Sequence, residues 1–212
     1  MSVQFRWQDC KMNALGDSLT KGDISGKGLQ GIPWTGHMKD LTGLYECRNY
    51  GINGNKLALE KGMAERYVEM DNDADVISVF GGMNDFCKGV PLGTVSDNDV
   101  STFFGAINVM INGLYKKFPR AEIFFITPPK CKSSFYGWES FTPNTSGHIL
   151  KDYRDAILTA ADIYSIPVLD LYSCSGMSCY LDDGTFRPDG LHFSNAGHER
   201  LAHKIAAFMN TL

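Results

Sequence analysis

Four short stretches, far apart in the chain, carry the residue types that acyl transfer needs. Near the start, Asn13-Ala14-Leu15-Gly16-Asp17-Ser18-Leu19-Thr20 ends a short apolar run on a serine. Asn53-Gly54-Asn55 and Gly81-Gly82-Met83-Asn84-Asp85 follow two later apolar runs, and Asp189-Gly190-Leu191-His192 stands near the C-terminus. A serine hydroxyl is a weak nucleophile and needs a base within hydrogen-bond reach, most often an imidazole. The imidazole in turn needs a partner that fixes its tautomer and stabilises its cation. Asp189, three residues before His192, can reach the ring within one turn of chain. An oxyanion forming on the attacked carbonyl needs donors, and the N–H groups of Ser18 and Gly54 with the Asn84 amide are candidates. Ser18, Asp189 and His192 are thus the candidate catalytic residues, and Ser18, Gly54 and Asn84 the candidate oxyanion hole.

Each residue alone has a plainer reading. Ser18 could serve a turn or an N-cap, Gly54 could simply permit positive φ, and Asn84 could cap a turn. Asp17 and Asp85 suit turn residues that hydrogen-bond the backbone, and Asp17 is assigned to structural support. Of the five histidines, His37 and His148 lack an acidic partner at matching spacing and read as surface or pocket residues. His198 and His203 fall inside the last helical pattern and read as structural. Only His192 combines a loop position with a carboxylate at short range.

The elements that must position these residues alternate between strand and helix patterns. Met12–Leu15, Glu46–Tyr50, Val76–Phe80, Glu122–Ile126 and Pro167–Asp170 read as strands, the third and fourth apolar enough to be buried on both faces. From Val100 to Phe118 the residues Val100, Phe103, Phe104, Ile107, Ile111, Leu114 and Phe118 form a helical stripe. Ile149, Tyr153, Ala156, Ile157, Ala160 and Tyr164 form a second. Leu201, Ile205 and Phe208 form a third, with Ser194 or Asn195 as N-cap. Leu57 to Met70 reads as a weaker helix broken by Gly62. Such alternation predicts a parallel sheet covered on both faces, with sites at the carboxyl ends of its strands. All four polar stretches fall at those ends. The loop 127–144 is long for a small domain and reads as functional or disordered. Its aromatics Phe135, Tyr136, Trp138 and Phe141 are candidates for a substrate-facing wall or lid.

Length and composition fit this picture. The 212 residues suffice for one domain with a sizeable core, and 43% hydrophobic with 21% charged residues is ordinary for a globular protein. A net charge of −4 argues against nucleic acid or anionic membranes as main partners. No apolar stretch approaches the length of a membrane span, and residues 1–10 show no basic stretch followed by an apolar one, so no signal peptide is expected there. With Met1 as the native start the expected location is cytoplasmic; a secreted protein trimmed of its signal would read the same. Six scattered cysteines form no Cys-x-x-Cys, leaving Cys174 and Cys179 as the one pair close enough for a local disulfide.

Together the four blocks resemble the SGNH (GDSL-type) hydrolases, a family of esterases and lipases. Gly16-Asp17-Ser18-Leu19 stands where the family has its nucleophile block, Gly54 and Asn84 match its oxyanion positions, and Asp189 with His192 its Asp-x-x-His block. The likeness runs from residue 12 to 208 in the family's order. It implies one domain over 1–212 and an α/β fold, a three-layer α/β/α sandwich with a parallel, flavodoxin-like sheet. It also implies ester hydrolysis through an acyl-serine without metal or other cofactor. The second block departs from the family, with Asn55-Lys56 after Gly54 where a threonine or serine is common, which bears on the substrate pocket. Pocket candidates are Trp34, Asn55, Met83, Trp138 and Phe193. The expected partner is a small-molecule or carbohydrate ester, with a short acyl group such as an O-acetyl preferred. Alternatives are a lysophospholipase or thioesterase of the same family, or a catalytically idle carbohydrate-binding domain. A metallophosphoesterase using Asp17, Asn84, Asp85, His192 and His198 as ligands lacks the Asp-x-His expected on its first strand, where Leu19 stands.

Overall fold

A computed structural model of the chain describes residues 6–24 and 29–212. In chain order the elements are β1 (Lys11–Gly16), α1 (Ser18–Lys21), α2 (Trp34–Thr42), β2 (Glu46–Gly51), α3 (Met63–Arg66), β3 (Val76–Phe80), α4 (Met83–Cys87), α5 (Phe103–Lys117), β4 (Glu122–Ile126), β5 (Lys132–Ser133), β6 (Trp138–Glu139), α6 (Leu150–Ile163), β7 (Val168–Leu169), α7 (Leu171–Cys174) and α8 (Asn195–Met209). One sheet runs β2-β1-β3-β4-β7 with every pairing parallel. The antiparallel pair β5–β6 forms a separate small arm.

The strand pattern explains why both faces are covered. Alternate residues of β1, β3 and β4 point to opposite sides. Leu15, Ile77, Val79, Ile123 and Phe125 enter a core with α5 and α6, while Met12, Ala14, Val76, Phe80, Phe124 and Ile126 enter a second core with α2 and α8. The helices sit where their apolar stripes require. Thr102 caps α5 by accepting the Gly105 N–H, and Ser194 caps α8 by accepting that of Gly197. The first three strands run outward from β1, β2 on one side and β3 on the other, so the strand order reverses between them. A crevice opens at that switch point, above the carboxyl ends of β1 and β3.

Two segments differ from the sequence expectation. Residues 57–62 are not helical: the N–H groups of Leu57 and Ala58 bond the Asp85 carboxylate at 2.9 and 3.0 Å, and Leu59 and Lys61 take positive φ. A helix begins only after Gly62 and tightens into a 3₁₀ turn at Tyr67–Glu69. The loop 127–144 is not structureless, since it contains the β5–β6 arm. All six cysteines are free thiols, and Cys174 donates to the Asp170 carbonyl instead of pairing with Cys179.

Candidate active site

The turn after β1 builds the first part of the site. Asp17 is the N-cap of the short α1, so the next residue, Ser18, starts a helix at the floor of the crevice. Asp17 Oδ1 accepts the Leu19 N–H at 2.9 Å and Oδ2 accepts Asn84 Nδ2 at 3.0 Å. The carboxylate thus ties the serine turn to the start of α4. Burial drives the Asp17 carboxyl up to about 7, although the Leu19 N–H, His192 and Asn84 all favour its ionised form.

From the far end of the chain, residues 187–192 close over this floor. Ser18 Oγ and His192 Nε2 are 3.0 Å apart, and His192 Nδ1 lies 2.7 Å from Asp189 Oδ2. The other Asp189 oxygen accepts the N–H groups of Leu191 and His192 at 2.8 and 2.6 Å. Burial raises the Asp189 carboxyl, but its hydrogen bonds to His192 prevail and hold it below the usual aspartate value. The loop can fold back so tightly because Gly190 adopts φ +74°; a Cβ there would stand 1.9 Å from the Lys132 carbonyl oxygen. Lys132 itself donates to the Gly190 carbonyl, joining the β5–β6 arm to the His192 loop. Behind the loop the buried Arg187 guanidinium donates twice to the Leu191 carbonyl, at 3.1 and 2.7 Å.

Gly54 completes the ring of groups, in a turn closed by Asn55 N–H on the Ile52 carbonyl. Its φ is +72°, while a Cβ would meet nothing within 4 Å, so backbone conformation rather than space calls for glycine. Ser18, Gly54, Asn84 and His192 line one crevice together with Leu19, Asp23, Asn53, Met83, Lys88, Tyr136, Trp138 and Leu191. Tyr136 stacks on Trp138 at 4.8 Å and turns toward the His192 ring at 6.1 Å. Lys88 Nζ lies 5.4 Å from the Trp138 ring.

Of the pocket candidates, Met83 and Trp138 line the crevice and three do not. Trp34 follows Pro33 as the first residue of α2 and is fully buried in the α2–α8 core. Phe193 is fully buried on the side opposite His192, 4.7 Å from the Arg187 guanidinium and 5.6 Å from the His198 ring. Asn55 is turned away by its own bonds, donating to the Lys61 carbonyl and accepting from Arg66. Phe135 and Phe141 project to solvent, so only the middle of the aromatic loop forms wall.

Asp85 and His198 also find structural places. Asp85 holds Leu57 and Ala58, and burial raises its carboxyl to about 6. His198 lies buried against Phe193, and burial lowers it to about 4. Among the described residues no three His, Cys, Asp or Glu side chains gather as a metal site. Asp23 and Lys88 line the crevice but were not singled out as site residues by sequence. Asp23 reaches the crevice wall where Asn53 Nδ2 donates to it at 3.0 Å, a contact across 30 positions that no local pattern announces.

Known proteins share this fold. One solved crystal structure superimposes with a TM-score of 0.93 at 38% identity, covering 97% of this chain and 98% of that one. A protein from Lactobacillus plantarum follows at 0.86 and 32%, with 96% and 98% covered. A possible lipase from Chitinophaga pinensis DSM 2588 gives 0.79 at 23% (96% and 98% covered), and the aryl esterase of M. smegmatis 0.68 at 16% (96% and 99% covered). No match arises among curated proteins. Across residues 14–200, which take in the serine turn, both oxyanion candidates and the Asp-x-x-His loop, the sequence fits the model of one family, and the chain belongs to the GDSL-like lipase/acylhydrolases.

Proposed function

We propose that the chain hydrolyses short-acyl carboxylic esters through an acyl-Ser18 intermediate. The observation that carries this reading is the unbroken line Asp189–His192–Ser18, at 2.7 and 3.0 Å, opening onto the crevice beside Asn84 and Gly54. In this reading neutral His192 Nε2 takes the Ser18 proton as Oγ attacks the ester carbonyl. Asp189 fixes the Nδ1–H tautomer and stabilises the imidazolium. The oxyanion meets the Ser18 and Gly54 N–H groups and the Asn84 Nδ2 hydrogen not given to Asp17. His192 then protonates the leaving alcohol, activates a water for attack on the acyl-serine, and returns the proton to Oγ. No metal or other cofactor enters any step.

For the substrate we favour an O-acyl, typically O-acetyl, group on a carbohydrate. The crevice is open and carries Asp23, Asn53 and Lys88 as hydrogen-bonding groups beside the Tyr136–Trp138 wall, a lining suited to a polar alcohol part. Rates on p-nitrophenyl acetate, butyrate and decanoate, on a lysophospholipid, on an acyl thioester and on acetylated xylo-oligosaccharides test this. The expected order puts acetyl esters first and acetylated sugars above lysophospholipid. A preference for decanoate and lysophospholipid would replace the short-acyl reading. Rates no higher than those of Ser18→Ala on every substrate would favour an idle binding domain.

A further inference from the structure

The Gly54 turn has almost nothing to hold it except hydrogen bonds. No side chain fills the space beside Gly54, and Gly54 takes a φ that other residues avoid. The turn is tied to β1 by Ile52 N–H on the Gly16 carbonyl and closed by Asn55 N–H on the Ile52 carbonyl. On one side Asn53 Nδ2 donates to Asp23 at 3.0 Å; the other side is held by the Asn55 side chain. Its Nδ2 donates to the Lys61 carbonyl at 2.8 Å, and its Oδ1 accepts Arg66 Nη1 at 2.6 Å. Arg66 Nη2 donates to the Tyr50 carbonyl at 3.0 Å, so one guanidinium grips both the end of β2 and the turn beyond it.

Arg66 is an unusual choice for a purely structural staple. The residue is 8% exposed, and burial lowers its pKa. Its nearest acid, Glu69, is 3.8 Å away, beyond hydrogen-bond reach of Nε, and largely in water. A buried cation paired only at this distance with an exposed carboxylate gains little stability from the pair. What the guanidinium supplies is planarity: two donors in a fixed fork that hold two acceptors of the same loop in register.

We propose that Asn55 and Arg66 are positioning residues that aim the Gly54 N–H at the oxyanion; this rests on the serine-esterase reading above. Neither side chain lines the crevice, so neither touches substrate. Their effect falls on the transition state, where the Gly54 N–H meets developing charge, and not on ground-state binding.

The test compares Asn55→Leu, Arg66→Met and the conservative Asn55→Asp, which keeps an acceptor for Arg66, with Ser18→Ala as reference. Initial rates on p-nitrophenyl acetate are measured alongside the Kd of phenylboronic acid, whose boron takes Ser18 Oγ and mimics the tetrahedral adduct. Asn55→Leu and Arg66→Met are expected to lower kcat on the order of 10- to 100-fold, part of the loss seen when one oxyanion donor is removed outright. KM should stay within about twofold, boronate affinity should fall with kcat, and Asn55→Asp, which keeps the Arg66 bond but loses the donor to the Lys61 carbonyl, should recover part of both. If either apolar variant fails to fold, Asn55→Ser and Arg66→Lys carry the same comparison. Unchanged kcat, or a rise in KM alone, with an inactive Ser18→Ala overturns the positioning role and leaves the esterase reading standing. A Ser18→Ala protein as active as wild type overturns the esterase reading itself.

Discussion

Replacing Asp17 by asparagine tests whether the serine turn and the Asn84 amide work as one unit. The wild-type carboxylate accepts two hydrogen bonds, from Leu19 N–H and from Asn84 Nδ2. An asparagine keeps an oxygen for Leu19 but presents an NH2 group to the NH2 group of Asn84. Two donors cannot share that contact, so Asn84 turns its amide over and its hydrogens leave the oxyanion position. The expected loss in kcat is that of one donor, roughly 100- to 1,000-fold, with KM little changed. Stability responds with a sign that depends on pH. Burial raises the Asp17 carboxyl from 3.8 to about 7, so its neutral form favours the fold. That contribution is complete below pH 3.8 and lost as pH rises through about 7. Wild-type stability should therefore fall, relative to Asp17→Asn, by about 4 kcal/mol between pH 4 and pH 8, at 1.36 kcal/mol per pH unit. Urea unfolding of both proteins across this range, with p-nitrophenyl acetate kinetics at pH 8, reads out the two effects. A variant with kcat within threefold of wild type, or a stability difference independent of pH, would refute the reasoning.

Other perturbations act on single links of the same chain of contacts. Asp189→Asn leaves the loop in place but loses the acceptor for His192 Nδ1–H, so kcat should drop by roughly 10⁴ while far-UV circular dichroism stays unchanged. Gly190→Ala drives a methyl into the Lys132 carbonyl at positive φ, and should lower unfolding free energy in urea by about 2–4 kcal/mol together with activity. Thr102→Ala removes the cap of α5 far from the crevice and should cost about 1 kcal/mol with kcat unaltered.

The sheet was legible because β3 and β4 are short, largely apolar runs between long helical stripes, a pattern with few other solutions. The Asp189–His192 pair was legible because three residues separate them, and local spacing is what a sequence displays. Helix α2 was missed although Pro33 before it and Gly43 after it are helix punctuation; only Trp34, Met38 and Leu41 mark its inner face. Reading Trp34 as pocket wall followed from that omission, since a residue placed in a loop is free to face a cleft and one inside a packed helix is not. Phe193 and Asn55 were misjudged because nearness in sequence to His192 and Gly54 does not fix direction. Phe193 turns to the core behind His192, and Asn55 is captured by Arg66. The 57–62 segment left its helix for the Asp85 carboxylate, a partner about 27 positions on in the chain. Asp23 entered the crevice wall through Asn53 in the same long-range manner.

The account rests on Ser18 being the atom that takes the acyl group. Treatment with a p-nitrophenyl alkylphosphonate, followed by peptide mass mapping, examines that atom directly. One phosphonyl group on Ser18, absent from Ser18→Ala and appearing in step with loss of esterase activity, is the predicted result. Full loss of activity with Ser18 unmodified, or a label on another residue, would contradict the account.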